Sequence, residues 1–458
     1  MPQNFLPYEP DQLLLLPPSI ADWVPEGSQA RFVDQLVDEL FERGRLEPIY
    51  RSYRSDGWGR AAYEPRMMLK VLLYAYCQGV TSSRKIARAV ESDVHLRFLS
   101  ANQQPDFRTI STFRRRHAEF FDELFVEVLG LCREAKLGQL GRVALDGRRV
   151  AGNASRGKNR KRESLKREKE ELERVVREIL EEAERVDREE DELYKDQRGD
   201  ELPADLRSAK GRAKRLRECL DRLEAKEREE REEYERKVKA REERGKKQKR
   251  PGKKPKPPEE KARRSEPVAN PTDPESRMMK TQAGSWLQGY NGQAVVDCES
   301  QVIVAQGVTN EENDRRQLGP MLEALERQAG GRPKELIADA GYSSEATLGL
   351  EDEKTEFFIA VQKDRKYRAE ARRESAARGR IPKGATRTER MRRKLLTKRG
   401  KKRYAQRCAV EAVFGQMWSR GLSRFWQRGL KRVQSEWSLW CTTHNLLKLY
   451  RAGWERAG

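Results

Sequence analysis

Histidine is nearly absent from this sequence: His95, His117 and His444 are the only three in 458 residues. The six cysteines (Cys77, Cys132, Cys219, Cys298, Cys408 and Cys441) are scattered, and no CxxC pair occurs. Together these exclude a zinc finger and leave a disulfide framework nothing to build on. A metal would therefore need oxygen ligands, which means magnesium or manganese. No run of about 18 apolar residues exists, so no membrane-crossing helix is expected. Residues 1–16 lack the charged start and apolar core of a secretion signal. A GxxxxGK[ST] segment is missing as well, which argues against an ATP-driven motor. The expectation is a cytoplasmic protein.

The apolar share is low at 36% and the charged share high at 37%, but much of that charge lies in one segment. The remainder has ordinary globular composition, and the length accommodates two or three cores. Basic residues exceed acidic ones to a formal net charge of +21. An excess of that size calls for a polyanionic partner, because every phosphate neutralised releases condensed counterions. Nucleic acid is favoured over an anionic membrane surface.

What is present is a small set of acids at the ends of apolar runs. In GRVALDG, residues 141–147, three apolar residues lead directly into Asp146, which reads as a short buried strand delivering a carboxylate to its C-terminal end. A buried carboxylate is costly without a positive partner, so acids that could share a cation with it are sought. RPKELIADAGYSSE supplies Asp339 at the end of another such strand, with Gly341 breaking it and Ser343 or Ser344 placed to cap a following helix. RYAQRCAVEAVFGQMW supplies Glu411, on one helix face with Tyr404 and Arg407 at spacings of three and four. Each acid alone has a structural explanation: Asp146 and Asp339 as turns ending strands, Glu411 as the salt-bridge partner of Arg407.

Residues 1–140 read as all-helical. Helices are expected over 28–45, over 66–78 with Gly79 ending it, over 82–90 and 93–99, and from Thr109 onward. Short helices joined by tight polar turns suit a helix-turn-helix-like DNA-binding domain. Ser111, Thr112, Arg114, Arg115 and Arg116 would then face DNA while Ile110 and Phe113 pack inward; the alternative is a charged flank with its arginines in water. From Arg156 the composition turns to Lys, Arg and Glu. Leu165, Leu172, Ile179, Val186 and Leu193 recur every seven residues, and Leu206, Ala209, Ala213, Leu216, Leu220 and Leu223 mark a second helix. With Gly199 and Pro203 between them, they predict an α-helical coiled-coil hairpin inserted over 156–243. Such a hairpin could dimerise, ride on DNA, or be a solvated insertion. A Lys- and Pro-rich linker, 244–265, follows. Strands are expected at 142–146, 149–154, GYNGQAVVD, QVIVAQGVT, 335–338 and 356–363, with helices over 315–328 and 433–450 and a basic connector over 362–400. The result is an α/β domain formed by 141–155 and 266–458, interrupted by the hairpin.

A strand ending in Asp, a strand ending in Asp-Ala-Gly-Tyr, and a helix with Tyr-x-x-Arg-x-x-x-Glu, in that order, resemble the DDE-class transposases of bacterial insertion sequences, in the branch with a Y-R-E signature helix. YEPDQLLLLPPSIADWVPEG, PDFRTISTFRRRH, GYNGQAVVD and RGLKRVQSEWSLWCTTHNLLKLY look like the same family, so the likeness covers nearly the whole chain outside the charged segment. The resemblance implies a ribonuclease-H-like catalytic domain. It implies an enzyme that binds the terminal inverted repeats of its element, cuts them with two magnesium or manganese ions, and joins the freed 3′-hydroxyls to target DNA. It implies Asp146 as the bridging metal ligand, Asp339 and Glu411 as holding one ion each, and Tyr404 and Arg407 as touching the DNA end. It also implies a homodimer on double-stranded DNA, at the nucleoid, working without ATP. The family's lysine seven residues after the glutamate is Trp418 here, with Arg420 as the candidate substitute. That departure keeps open a catalytically inactive, DNA-binding derivative.

Overall fold

Ser28, Asp93 and Asp106 each accept a hydrogen bond from a first-turn amide of the helix that follows, and these caps set the starts of α1 (Gln29–Glu42), α4 (Val94–Leu99) and α5 (Phe107–Arg116). The computed structural model describes residues 19–53, 61–193, 204–247, 254–258, 267–281, 284–373, 381–382 and 384–454. The opening stretch to Pro18, the reversal at 196–203 and most of the basic linker lie outside the described residues. So do the side chains of Ile179, Val186, Leu193, Leu206 and Ala209. α5 begins two residues before Thr109 because Asp106 reaches over the first turn to the Thr109 amide, at 2.6 Å. α2 (Pro65–Cys77), α3 (Ser83–Ser92) and α6 (Phe120–Glu134) complete the N-terminal helices. α2 ends where expected. Gly79 has φ +75°, and a Cβ there would lie 1.8 Å from the Arg420 carbonyl oxygen, so this close approach admits only glycine.

One ten-residue strand, β1 (Arg142–Ala151), replaces the two strands expected at 142–146 and 149–154. Asp146 is thus mid-strand. Gly147 does not break the strand, because the antiparallel partner β5 (Trp286–Asp297) continues the ladder past it, pairing Asp146 with Ala294, Gly147 with Gln293 and Ala151 with Gly289. β4 (Arg277–Lys280) and β6 (Ile303–Thr309) follow one another along the other edge of β5, both antiparallel to it. On its second edge β1 pairs in parallel with β7 (Glu335–Ala338), which pairs in parallel with β8 (Glu356–Ile359). The outcome is a mixed sheet with β1 at its centre.

α9 (Leu318–Ala329) packs on β6, and α11 (Arg387–Leu396) and α12 (Lys398–Ala405) pack on β8; α10 (Asp364–Arg373) lies in the basic connector. α13 (Cys408–Ser419) packs against β1 and β5. α12 and α13 correspond to the single helix expected to carry Tyr404, Arg407 and Glu411. The chain breaks between them through tight i→i−3 hydrogen bonds from Gln406 to Arg403 and from Ala409 to Gln406.

α14 (Leu430–Arg451) is buried on all sides, packed against α2, α6 and β6. Trp437, Trp440 and Cys441 sit in it beside buried Ser435, Glu436, Ser438, Thr442 and Asn445. Most of the polar groups are bonded internally, the Ser435 hydroxyl and the Trp440 indole N–H excepted: the Asn445 amide donates to the Ile303 carbonyl and accepts from the Ile303 amide, both at 2.8 Å. One apolar core therefore runs from the N-terminal helices through α14 into the sheet. Among the described residues no helix is long and apolar enough to cross a membrane.

The charged segment leaves the sheet after β1. β2 (Arg160–Lys161) and β3 (Val268–Ala269) form a two-residue antiparallel clasp at its root. From that clasp extend α7 (Arg162–Leu193) and α8 (Ala204–Lys247), the latter running past Glu243 into the expected linker. Leu165, Leu216, Cys219, Leu220, Leu223 and Ala269 close a small separate core there.

Candidate active site

Strand registers decide where the acids sit. β1 and β7 run parallel with Leu145 opposite Ala338, so the next residues, Asp146 and Asp339, emerge side by side, roughly 5 Å apart across the strands. Asp146 is 8% exposed. Burial raises its carboxyl to about 7 and the neighbouring charge of Asp339 adds to the rise, while Arg407 and the Gly147 amide oppose it. Asp339 is raised by burial too, against the Gly341 amide, from which it accepts a bond of 2.7 Å.

The third acid does not join them. Arg407 Nη1 donates to Asp146 at 3.2 Å, and Nη2 donates to Asp364 at 3.0 Å and to Glu411. Glu411, with 49% of its side chain exposed, is linked to the other acids through that guanidinium. The salt-bridge explanation of Glu411 is the arrangement seen, and the expected convergence of three carboxylates is not. The physical reason is charge balance: a buried carboxylate draws the nearest fixed positive group, which for Asp146 is Arg407. Among the described residues no group of three acids, histidines or cysteines is placed to hold one metal ion. Asp146 and Asp339 nevertheless fit a divalent cation as a pair. Both offer oxygen, their mutual repulsion is what a cation would relieve, and magnesium is commonly held by one or two carboxylates with substrate phosphates completing the shell.

Two acids in the site escaped sequence reasoning. Asp314, in the turn before α9, accepts from Asn291 Nδ2 at 2.7 Å and Gln293 Nε2 at 2.8 Å. A Cβ at Gly147 would meet its Oδ1 at 2.5 Å, so the glycine after Asp146 makes room for it. Its charge raises both Asp146 and Asp339. Only its place just before a helix marks it in EENDRRQLGP, and nothing there separates it from Glu311 or Glu312. Asp364 opens the basic connector and takes the Tyr404 hydroxyl as well as Arg407. Burial pushes Asp364 up, but the Tyr404 hydroxyl and Arg407 outweigh it and hold the carboxyl below its ordinary value. It opens a basic run that also holds Glu370 and Glu374, and nothing in the sequence separates it from them.

Tyr342 is buried and donates to Gln293, so it packs behind the site rather than facing it. Asp297 accepts from the Ser300 amide at 3.0 Å and holds the turn after β5. A pocket of about 320 Å³ opens beside Arg407 and Glu411, edged by Arg368, Arg372 and Lys401.

The other predicted contacts divide. Arg115 and Arg116 are exposed on α5. Arg114 is not: it is 3% exposed, donates to the Thr81 carbonyl at 2.8 Å and faces Glu436 at 3.6 Å. A ten-residue helix packed on one side by Ile110 and Phe113 turns Arg114 inward with them, which removes it from DNA. Arg420 is likewise no substitute for the missing lysine, since its guanidinium is buried against the Trp440 ring at 5.6 Å. The cation beside Trp418 is Arg148, two residues after Asp146, at 5.2 Å from the indole centroid.

Residues 18–116 match the family described as Transposase domain (DUF772), and residues 253–446 match Transposase DDE domain. The chain belongs to the DDE transposases of insertion sequences. No curated protein and no solved structure matches it. For this transposase the DDE domain implies a ribonuclease-H-like α/β fold, a DNA substrate and divalent-metal chemistry, and the mixed sheet agrees with that fold. Asp339 and Glu411 lie inside the DDE match; Asp146 lies before it, separated by α7 and α8.

Proposed function

We propose that this transposase, of the Y-R-E branch, binds the terminal inverted repeats of its own element, hydrolyses one strand at each end and passes the 3′-hydroxyl to target DNA without ATP. The observation that carries the reading is the side-by-side emergence of Asp146 and Asp339 from parallel strands, with Arg407 spanning Asp146 and Glu411. Asp146 and Asp339 would hold a divalent ion, magnesium or manganese, whose chemistry would be water activation and charge neutralisation at the scissile phosphate. Arg407 then has a second candidate partner, the DNA phosphate, to which a guanidinium offers the same planar fork it offers a carboxylate. Its transfer leaves Glu411 free to serve as the third acid, and in this reading a second ion comes with it. Tyr404 is held by Asp364 next to Arg407, and Arg148 over Trp418 takes the place assigned to the missing lysine. We assign end binding to 1–140 as a helix-turn-helix-like unit acting in a homodimer, and the coiled-coil arm to 156–243.

The test is a nicking assay on duplexes copied from the genomic DNA on either side of the gene, where terminal repeats are expected. Strand cleavage with magnesium and none with EDTA is expected. A second reading, a DNA-binding derivative without catalysis, is favoured by the salt bridge that occupies Glu411. End binding with no metal-dependent nicking would establish it.

Asp314 gives a milder expectation. It shapes the field around both aspartates, and Asp314→Asn should raise the manganese concentration needed for half-maximal cleavage roughly tenfold, the size of loss usual for groups that support metal ligands. Titrations of manganese into wild type and variant read this directly, and identical curves refute it.

A further inference from the structure

A groove of about 810 Å³ lies between α3 and α5 on one side and residues 426–432, leading into α14, on the other. Arg84, Arg108, Arg115, Arg428 and Arg432 line it, each exposed to solvent, and no carboxylate among the described residues is paired with any of them. Phe107 and Trp426 stand at its walls, 37% and 39% exposed. The side-chain amide of Gln427, which also lines the groove, has no hydrogen-bond partner among the described residues. Arg428 donates to the Asn153 carbonyl at 2.8 Å, Arg115 to the Thr112 hydroxyl at 3.0 Å, and Arg84 and Arg108 lie over the Phe107 ring, so these four are positioned by neutral groups without a salt bridge among the described residues; like charges gathered this way suit a surface that receives an anion.

The walls are fixed in advance. Glu436, fully buried in α14, accepts from the Trp426 amide at 2.9 Å and the Gln427 amide at 2.9 Å while facing Arg114. Trp426 Nε1 donates to the Thr81 hydroxyl at 2.9 Å, and Asn153 Nδ2 donates to the Trp426 carbonyl at 2.7 Å. The groove thus joins the N-terminal helices, the end of the strand that bears Asp146, and α14. A second groove shares Arg428 and Arg432 and continues past Lys158 and Arg160 to α8, but Glu168, Glu218, Asp273 and Glu275 also line it and Arg212 is paired with Glu168, so the basic surface proper is the first groove.

We propose that this groove seats the sugar-phosphate backbone of duplex DNA internal to the cut site. The inference rests on the transposase function proposed above and adds where the substrate lies. β1 rises about 3.3 Å per residue, so Asn153 is on the order of 20 Å from Asp146. A DNA strand advances about 3.4 Å per base, which puts the groove roughly six base pairs from the scissile phosphate. The contact is a cleft closed by the catalytic sheet's own strand and loop, rather than the exposed face of α5 alone.

The test uses a fluorescein-labelled 30-base-pair duplex and full-length protein, titrated across a range of potassium chloride concentrations. Wild type is compared with Arg84→Ala/Arg108→Ala/Arg115→Ala/Arg428→Ala/Arg432→Ala and with Arg327→Ala/Lys354→Ala, remote exposed positions. All are surface changes, and circular dichroism melts check folding. The five-fold variant should bind about a hundredfold more weakly near physiological salt, and its slope of log affinity against log salt should shrink by about 4. The remote pair should leave both unchanged. Wild-type binding with a steep slope and an unaltered five-fold variant overturns the groove assignment and leaves the function standing. Wild type that binds no duplex at low salt overturns the function itself.

Discussion

Asp146→Asn is expected to fold, to bind end DNA like wild type, and to cut it at least roughly a thousandfold more slowly, because the change removes a charged oxygen ligand where charge develops. Single-turnover cleavage in excess enzyme separates this from weaker binding, and cleavage at a near wild-type rate would remove Asp146 from the site. The same variant carries a second signature. Folding raises the Asp146 carboxyl from about 3.9 to about 7, so the folded protein binds a proton that the unfolded chain has released. The ionised form is thus a burden that is absent below the unfolded value and complete above about pH 7. In EDTA, Asp146→Asn should be more stable than wild type by on the order of 3 kcal/mol at pH 8, with the margin closing as the pH falls toward 4. Melting curves across that range read the margin, and a pH-independent difference would contradict the burial account of Asp146.

Glu436→Ala is expected to cost about 3–5 kcal/mol, the usual loss when one partner of a buried ion pair is removed. The carboxylate lies at full burial in α14, where burial raises it and Arg114 with the Gln427 and Trp426 amides draws it back. Truncation strands the Arg114 guanidinium, whose Nε and Nη2 already lack hydrogen-bond partners, and orphans two amides of the loop that carries Arg428. Glu436→Gln keeps an acceptor for an amide and should lose markedly less. Urea unfolding midpoints compare the two, and an Ala variant as stable as the Gln variant would show that an acceptor for the Trp426 and Gln427 amides does not hold the joint.

The strands and the paired aspartates were legible because apolar runs ending on an acid are a local pattern. Residues 335–339 read correctly for that reason, and β5 and β6 because their strand composition flanks a turn at 298–300. The continuity of β1 was not legible: whether Gly147 ends a strand depends on a partner, β5, nearly 150 residues later. Arg114 and Arg420 were misjudged because a charged side chain's direction is set by tertiary partners, Glu436 in one case and Trp440 in the other. Glu411 shows both sides of the matter. Its spacing from Arg407 announces a salt bridge and the family motif announces a ligand, and the structure displays the first. α14 carries no amphipathic stripe because it is surrounded, so its sequence places a helix without showing that it joins both halves of the molecule.

The clasp of β2 on β3 is only two residues wide, yet it brings the two ends of a long excursion together beside the sheet. α8 is tied to the catalytic domain a second time, through Arg222 to Glu275, Lys226 to Glu312 and Glu229 to Arg316 beside Asp314. Equal additions or removals in α7 and α8 on the far side of Arg212, away from those ion pairs, would therefore change the length of the arm and leave its attachment unchanged. Variation in arm length has a place to act there, whereas variation nearer the clasp would pull on the turn that holds Asp314.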